Sequence, residues 1–239
     1  MTTIVSMWSG PRNISTTMMR SFAARNDALA IDEPFYATYL AASGAEHPYR
    51  RETLDDYPNE FDGVIDWIAG ETEKPILFLK HIAYHLSSDQ DFAFLERWRN
   101  FLLIRDPRAM VASFTNKYDD AAPIIRSYEI ELRMFEHLSA RGLACPIVDA
   151  ADMLKAPEAM LKALCRALDI AFDPAMLAWK KGPKPEDGPW AAHWYDAVWE
   201  STGFKPYVEK TPMLDKDLEA IAAAAAAAYR RLYDERLTA

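Results

Sequence analysis

The chain has 239 residues, half of them hydrophobic and 26% charged, and a net charge of −9. Those values suit one soluble domain with a sizeable core, and they argue against a general nucleic-acid or membrane-surface binder, which relies on spread positive charge. A site for an anionic ligand must therefore gather its cations locally.

In chain order, residues 3–8 form a short apolar, β-branched run that predicts a buried strand, and residues 15–25 predict a helix. Between them lies Gly10-Pro11-Arg12-Asn13-Ile14-Ser15-Thr16-Thr17. This has the length of the nucleotide-phosphate loop G-x-x-x-x-G-K-[ST], but Ser15 stands at the second glycine and Thr16 at the lysine. A strand feeding a turn and a helix N-terminus presents backbone N–H groups to an anion, and the hydroxyls of Ser15, Thr16 and Thr17 cluster where phosphate oxygens would sit. The competing reading is that these hydroxyls only cap the helix.

Further strands are predicted at 28–32, 76–80, 100–105 and 146–150. Helices are expected in parts of 35–70 and at 91–98, 108–117, 123–141, 157–168 and 217–237, the last containing the alanine run 222–228. Residues 180–206, rich in Pro, Gly and aromatics, read as an ordered loop or lid within a single domain spanning 1–239. Strands alternating with helices predict an α/β fold, a parallel sheet covered on both faces, with ligands beyond the carboxyl ends of the strands. Cys145 and Cys165 read as reduced core residues. No metal-ligand cluster, signal-peptide pattern or membrane-length apolar run is legible, so the expected location is the cytoplasm.

The stretch "RNFLLIRDPRAMVASF" supplies a second anion site. Arg105 ends a strand, Pro107 suits a helix start, and Ser113 follows Arg105 by eight positions. A guanidinium there can make paired hydrogen bonds to a phosphate, joined by the serine hydroxyl. The alternative places Arg105 and Arg108 in a solvated fringe beside Asp106.

These two motifs resemble the sulfotransferases of the P-loop fold that use 3′-phosphoadenosine 5′-phosphosulfate (PAPS). In that family the first loop grips the 5′-phosphosulfate and an Arg…Ser pair eight positions apart grips the 3′-phosphate; Gly10–Thr17, Arg105 and Ser113 match those elements. "IVDAADMLKAPEAMLKALCRALDIAFDPAML" is similar to a later strand–turn–Pro–helix segment of the family, and Lys180, Lys181 and Gly182 echo its cofactor-covering basic-Gly loop. "WSGPRNIST", "DEPFYA" and "FLKH" look like a bacterial sulfotransferase-like subgroup, some of whose members carry an aminotransferase-like label. No Schiff-base lysine setting is legible here. The chain departs from the family pattern at Asn13, which stands where a basic residue is usual, with Arg12 one position earlier. It also has Lys80 directly followed by His81, where the best-known members have an intervening residue.

The resemblance implies sulfuryl transfer from PAPS to a hydroxyl or amine of a small-molecule acceptor, leaving adenosine 3′,5′-bisphosphate and requiring no metal. No nucleic-acid or membrane partner is expected, and a homodimer is a compatible assembly. Arg12 or Lys80 would neutralise developing charge; Arg12, Asn13, Ser15, Thr16, Thr17, Arg105, Ser113, Lys181 and Gly182 would hold the donor. His81, at a strand end and with an ordinary pKa near neutrality, is preferred over Glu33 as the base; His85 and His193 are reserves. Trp8, Phe35, Tyr36, Tyr39, Trp190, Trp194 and Tyr195 are candidate pocket aromatics, with Trp190 and Trp194 in the lid. The other readings are a P-loop kinase or nucleotide hydrolase, disfavoured by Thr16 at the lysine position, and a non-catalytic nucleotide-binding protein of the same fold.

Overall fold

The computed structural model describes residues 2–70, 72, 74–115, 120–209 and 211–239. Its strands are β1 (Thr3–Ser9), β2 (Ala28–Asp32), β3 (Ile76–Ile82), β4 (Arg99–Ile104) and β5 (Ile147–Asp149). They form one sheet in the order β2-β3-β1-β4-β5, with every neighbouring pair parallel. The expected α/β class, a parallel sheet flanked by helices, is the observed one.

The sheet is buried on both sides, which is why its strands read as near-continuous apolar runs. Successive side chains alternate between two cores. Trp8, Leu77, Leu79, Leu102, Ile104 and Ile147 face one core, packed under α4 (Phe61–Gly70), α5 (Pro107–Phe114), α6 (Ala122–Ala140) and α11 (Lys216–Asp234). Val5, Met7, Ile76, Phe78, Phe101, Leu103 and Val148 face the other, against α1 (Ser15–Ala23), α2 (Tyr36–Ser43) and α8 (Pro157–Ala167). Two shorter helices, α3 (Arg50–Asp56) and α7 (Ala150–Lys155), and a pair in the covering segment, α9 (Ala191–Trp194) and α10 (Asp196–Trp199), complete the α-helices of the described residues. In α11 the small side chains of Ala222 and Ala225 are buried, which brings that helix close to α5 and α6.

The connection after β1 runs through α1 to the β2 edge, whereas the connection after β4 runs through α5 and α6 to the β5 edge. Adjacent strands whose crossovers leave in opposite directions open a crevice beyond their carboxyl ends. That crevice lies between the two anion motifs read from the sequence.

Several element boundaries differ from expectation for identifiable reasons. The predicted helix 91–98 is a 3-10 helix at Ala93–Arg97, because the buried Asn100 amide donates to Leu95 O (2.7 Å) and Trp98 O (3.0 Å) and ends it early. The predicted strand 146–150 stops at Asp149, whose carboxylate leaves the sheet to cap α7 through Ala151 N (2.8 Å). Helix α5 ends at Phe114; Asn116 and Lys117, at the end of its predicted span, lie outside the described residues. Both cysteines are free thiols; burial pushes Cys145 up to about 12 and Cys165 up to about 11. No helix among the described residues is long and apolar enough to cross a membrane.

Phe78, on the central part of β3, is fully buried and stacked on Phe22 of α1 with ring centroids 4.2 Å apart. Phe78→Ala is expected to lower stability by about 3–5 kcal/mol, read from the urea midpoint at unchanged slope.

Candidate active site

The cleft opens at the carboxyl ends of β1, β3 and β4 and has a volume of about 260 Å³. Its lining includes Arg12–Thr17, Glu33, Lys80, His85, Arg105 and Ser113, and it is roofed by Trp190, Trp194, Tyr195 and Val198.

At one end, the chain leaves β1 through Gly10. A Cβ on this residue would lie 2.5 Å from Met110 Cε and 3.3 Å from Ser127 Cβ, so the loop sits against α5 and α6 with no room for a side chain. Arg12 then adopts a left-handed backbone (φ 57°), which turns the chain into α1. Asn13 fixes that turn from inside: its amide donates to Leu103 O of β4 (2.5 Å) and its carbonyl accepts from Ile14 N (2.9 Å). Helix α1 begins with Ile14 in the cap position, and no side chain caps its first turn. The hydroxyls of Ser15, Thr16 and Thr17 therefore do not serve as the cap, and the positive end of the helix faces the cleft.

The second anion motif meets the first directly. Arg12 Nε donates to Ser113 Oγ (3.4 Å), and Arg105 Nη1 donates to Arg12 O (2.6 Å). Tyr128 of α6 brackets Arg105 from behind, accepting from its N–H (3.3 Å) and donating to its carbonyl. Burial, and after the opposing Tyr128 the nearby Arg12, hold the Arg105 guanidinium below its usual value. A bound anion would relieve both penalties.

At the other end stands a buried polar cluster. Asp32 and Lys80 are register partners on β2 and β3. Lys80 Nζ donates to Asp32 Oδ1 (2.7 Å), to Glu33 and to Tyr195 Oη (2.8 Å), while Tyr195 Oη donates to Asp32 Oδ2 (2.5 Å). Glu33 reaches back over Lys80 because its own backbone is left-handed (φ 46°), with its N–H bound to Lys80 O (2.8 Å). Burial pushes the Glu33 carboxyl up to about 7, Lys80 opposing and Asp32 adding to the rise. Burial also acts against the Lys80 charge, but Asp32, Glu33 and Tyr195 outweigh it and hold the ammonium well above the ordinary lysine value. His85 stacks on Tyr36 (4.8 Å) and Tyr39 (5.0 Å), with Nδ1 3.9 Å from Glu33 Oε2. His47 Nδ1 meets Tyr36 Oη at 2.9 Å.

His81 is not in this cleft. It follows Lys80 on β3 and so points to the opposite face of the sheet, where it stacks on Trp8 (3.9 Å, 12°) beside Phe35 and Trp98. Burial, then Lys80, drive its ring well below the usual histidine value. The expectation that His81 outranks Glu33 is corrected on this geometry, and Trp8 and Phe35 are core rather than pocket residues. Lys181 and Gly182 are likewise outside the cleft lining: Lys181 pairs with Glu200 (3.1 Å) and Gly182 turns the chain at φ 94°. The roof comes instead from the later part of the same segment. It is anchored to α1 by buried Arg20, which binds Glu186 (2.8 Å) and Asp187 (2.6 Å). His193 is exposed and stacks edge-on against Trp194 (4.4 Å).

Sequence reading missed the joint role of Asp32 and Tyr195. Asp32 was legible only as the last residue of the strand predicted at 28–32, because strand neighbours are not written in the sequence. Tyr195 is 115 positions from Lys80. Among the described residues no group of three or more His, Cys, Asp or Glu is placed to hold a metal ion. Asn13→Ala is expected to cost about 1–2 kcal/mol of stability through its two loop bonds. It should also weaken binding of inorganic sulfate in a calorimetric titration, although Asn13 itself is committed to the backbone.

The description "Sulfotransferase domain" fits a family model that matches residues 2–234. Two Arabidopsis thaliana proteins, branched-chain-amino-acid aminotransferase-like proteins 1 and 2, are 36% and 35% identical to the chain over 219 residues. That match takes in 90% of this chain but only 39% of each relative, so the chain spans well under half the length of the curated relatives it matches. Among solved structures, the sulfotransferase from Alicyclobacillus acidocaldarius superposes with a TM-score of 0.57 at 8% identity, covering 98% of this chain and 96% of that one. The sulfotransferase domain from the curacin biosynthetic pathway gives 0.53 at 14% identity, covering 95% and 98%. The sulfotransferase domain of the Synechococcus PCC 7002 olefin synthase gives 0.53 at 17%, covering 94% of each. At such identities these structures speak to the fold alone, which is the P-loop-like fold of sulfotransferases, while the family model assigns membership. The chain belongs to the sulfotransferase-domain family.

Proposed function

We propose that the protein transfers a sulfuryl group from PAPS to a hydroxyl or amine of a small-molecule acceptor. The observation that carries this reading is the direct linkage of two anion sites at the carboxyl ends of β1 and β4. One is the uncapped N-terminus of α1 with the hydroxyls of Ser15, Thr16 and Thr17; the other is the Arg105, Arg12 and Ser113 group. A ligand with two separated phosphate groups matches that pair, and a 3′,5′-bisphosphorylated nucleoside has this form. The aminotransferase-like name belongs to relatives most of whose length lies outside the match.

Bound in the cleft, PAPS would supply an activated sulfuryl group: the acceptor atom forms a bond to sulfur as the bond from sulfur to the phosphate oxygen breaks, its electron pair staying with the phosphate. The chain's contribution is positioning and charge. The α1 amides and hydroxyls stabilise charge gathering on the 5′-phosphate, and Arg105 with Ser113 orients the 3′-phosphate. Arg12 lines the cleft as a positive group that can face the transferred sulfuryl, while Lys80, its three N–H groups given to Asp32, Glu33 and Tyr195, acts from the cleft wall through its field. Glu33, lining the cleft and held near neutrality, takes the acceptor's proton in place of His81. The aromatic roof of Trp190 and Trp194 shields the transfer from water.

Calorimetry with adenosine 3′,5′-bisphosphate, ATP and 5′-AMP tests the donor assignment. The 3′-phosphorylated ligand should bind most tightly without Mg²⁺, and Arg105→Ala should weaken it about 10- to 100-fold, the loss of a charged hydrogen-bonding partner. Equal binding of all three ligands would refute the reading, and Mg²⁺-dependent ATP turnover would replace it with a kinase or hydrolase. For the base, the active form of Glu33 is the carboxylate. Sulfuryl transfer should therefore rise with pH up to about 7 and level off above it. Glu33→Gln should remove that limb and slow transfer by about 10²–10⁴-fold.

A further inference from the structure

The cluster around Lys80 contains two groups that the proposed chemistry does not itself consume. Asp32 lies beside Lys80 in the β2–β3 register and is buried with it. Tyr195 arrives from the turn between α9 and α10, in the segment that roofs the cleft. Its hydroxyl closes a ring: it accepts from Lys80 (2.8 Å) and donates to Asp32 (2.5 Å), whose other oxygen accepts from the same ammonium (2.7 Å). Lys80 thus faces two carboxylates, and the position of its charge between them is fixed by the Asp32–Tyr195 pair. Building on the assignment of Glu33 as base, we propose that Asp32 and Tyr195 are positioning residues that set how the Lys80 charge is divided between two carboxylates, Asp32 raising the basicity of Glu33 and Tyr195 limiting that rise.

Asp32 and Glu33 compete for one ammonium in a site screened from water. Burial raises the Glu33 carboxyl, and an ammonium committed to it alone would oppose that rise in full and leave a weaker base. Asp32 draws part of that ammonium's field away and adds its own negative charge near Glu33, both of which favour a protonatable Glu33. Tyr195 satisfies the second Asp32 oxygen, which limits how far Asp32 pulls Lys80 from Glu33. The titratable groups around Glu33 are Lys80 from β3, Asp32 from β2, His85 from the 3-10 helix after β3 (Ala83–His85), and Tyr195 from the roof. His47 stands beyond Tyr36, and Arg12 lines the same cleft. Burial and Lys80 hold His85 well below the usual histidine value, so it is neutral while Glu33 titrates. Because Tyr195 belongs to the roof, correct seating of that segment also completes the base. Its anchor is the Arg20 pair with Glu186 and Asp187.

The test is a pH titration of carbon-13-labelled glutamate side chains in the full chain, with the Glu33 signal identified by its loss in Glu33→Gln. In Asp32→Asn the Glu33 midpoint should fall by about 1 pH unit or more, because one nearby like charge is removed and Lys80 turns wholly to Glu33. In Tyr195→Phe, which keeps the ring, it should rise, because the freed Asp32 oxygen competes harder for the ammonium. Opposite shifts in the two variants support the proposal, since a general loosening of the site would not give them. A midpoint unchanged in either variant, or both moving the same way, overturns it. Should Asp32→Asn fail to fold, Tyr195→Phe decides alone: a raised midpoint supports the proposal and an unchanged or lowered one overturns it. The readout needs no turnover, so opposite shifts in a protein that transfers no sulfuryl group would refute the base assignment while leaving the charge arrangement established.

Discussion

A lysine ammonium with 1% of its side chain exposed stands near the end of β3, beside the edge strand β2, and much of the cleft follows from how it is kept charged. Desolvating such a group costs several kcal/mol unless partners surround it. Here they come from three separate places: Asp32 from the neighbouring strand, Glu33 from the left-handed turn that follows it, and Tyr195 from the roof. Each partner ties one element to the sheet. The same contacts that permit the buried charge therefore fix the edge strand, the turn and the covering segment relative to one another, and they place a carboxyl of near-neutral character at the cleft wall.

Under the proposed function the opposite end of the cleft has a different task, that of holding anions in a protein whose net charge is −9. It uses few cations at short range. An uncapped helix N-terminus contributes partial positive charge without any side chain, and Arg12 and Arg105 converge from two loops, linked through Ser113 and a backbone carbonyl. Support lies behind: Gly10 without a Cβ, Asn13 bonded to β4, Tyr128 bracketing Arg105. The opening at adjacent strands with divergent crossovers gives both loops access to one ligand.

Much of this was legible in the sequence because it is local. The five strands, the turn at Gly10–Thr17 and the Arg105…Ser113 spacing all follow from apolar runs, turn chemistry and short offsets, and the family implied by the two motifs is the family found. What failed depended on neighbours or on phase. His81 and Lys80 are adjacent, and a strand sends adjacent residues to opposite faces, so both cannot serve one cleft; the sequence offered no reason to choose the lysine until the strand's register was known. Lys181 and Gly182 matched a basic-Gly pattern, yet the roof is built some ten residues later by aromatics that a pattern cannot distinguish from core. The Asp32–Tyr195 bond joins residues 163 positions apart and was beyond any local signal.

The central claim is that two linked anion sites grip one doubly phosphorylated nucleotide. Phosphorus-31 NMR of adenosine 3′,5′-bisphosphate titrated with the protein in metal-free buffer examines both phosphates at once. The 3′ and 5′ resonances should shift together and saturate at the same protein ratio. A shift confined to one phosphate, with the other retaining its free position at saturation, would contradict it.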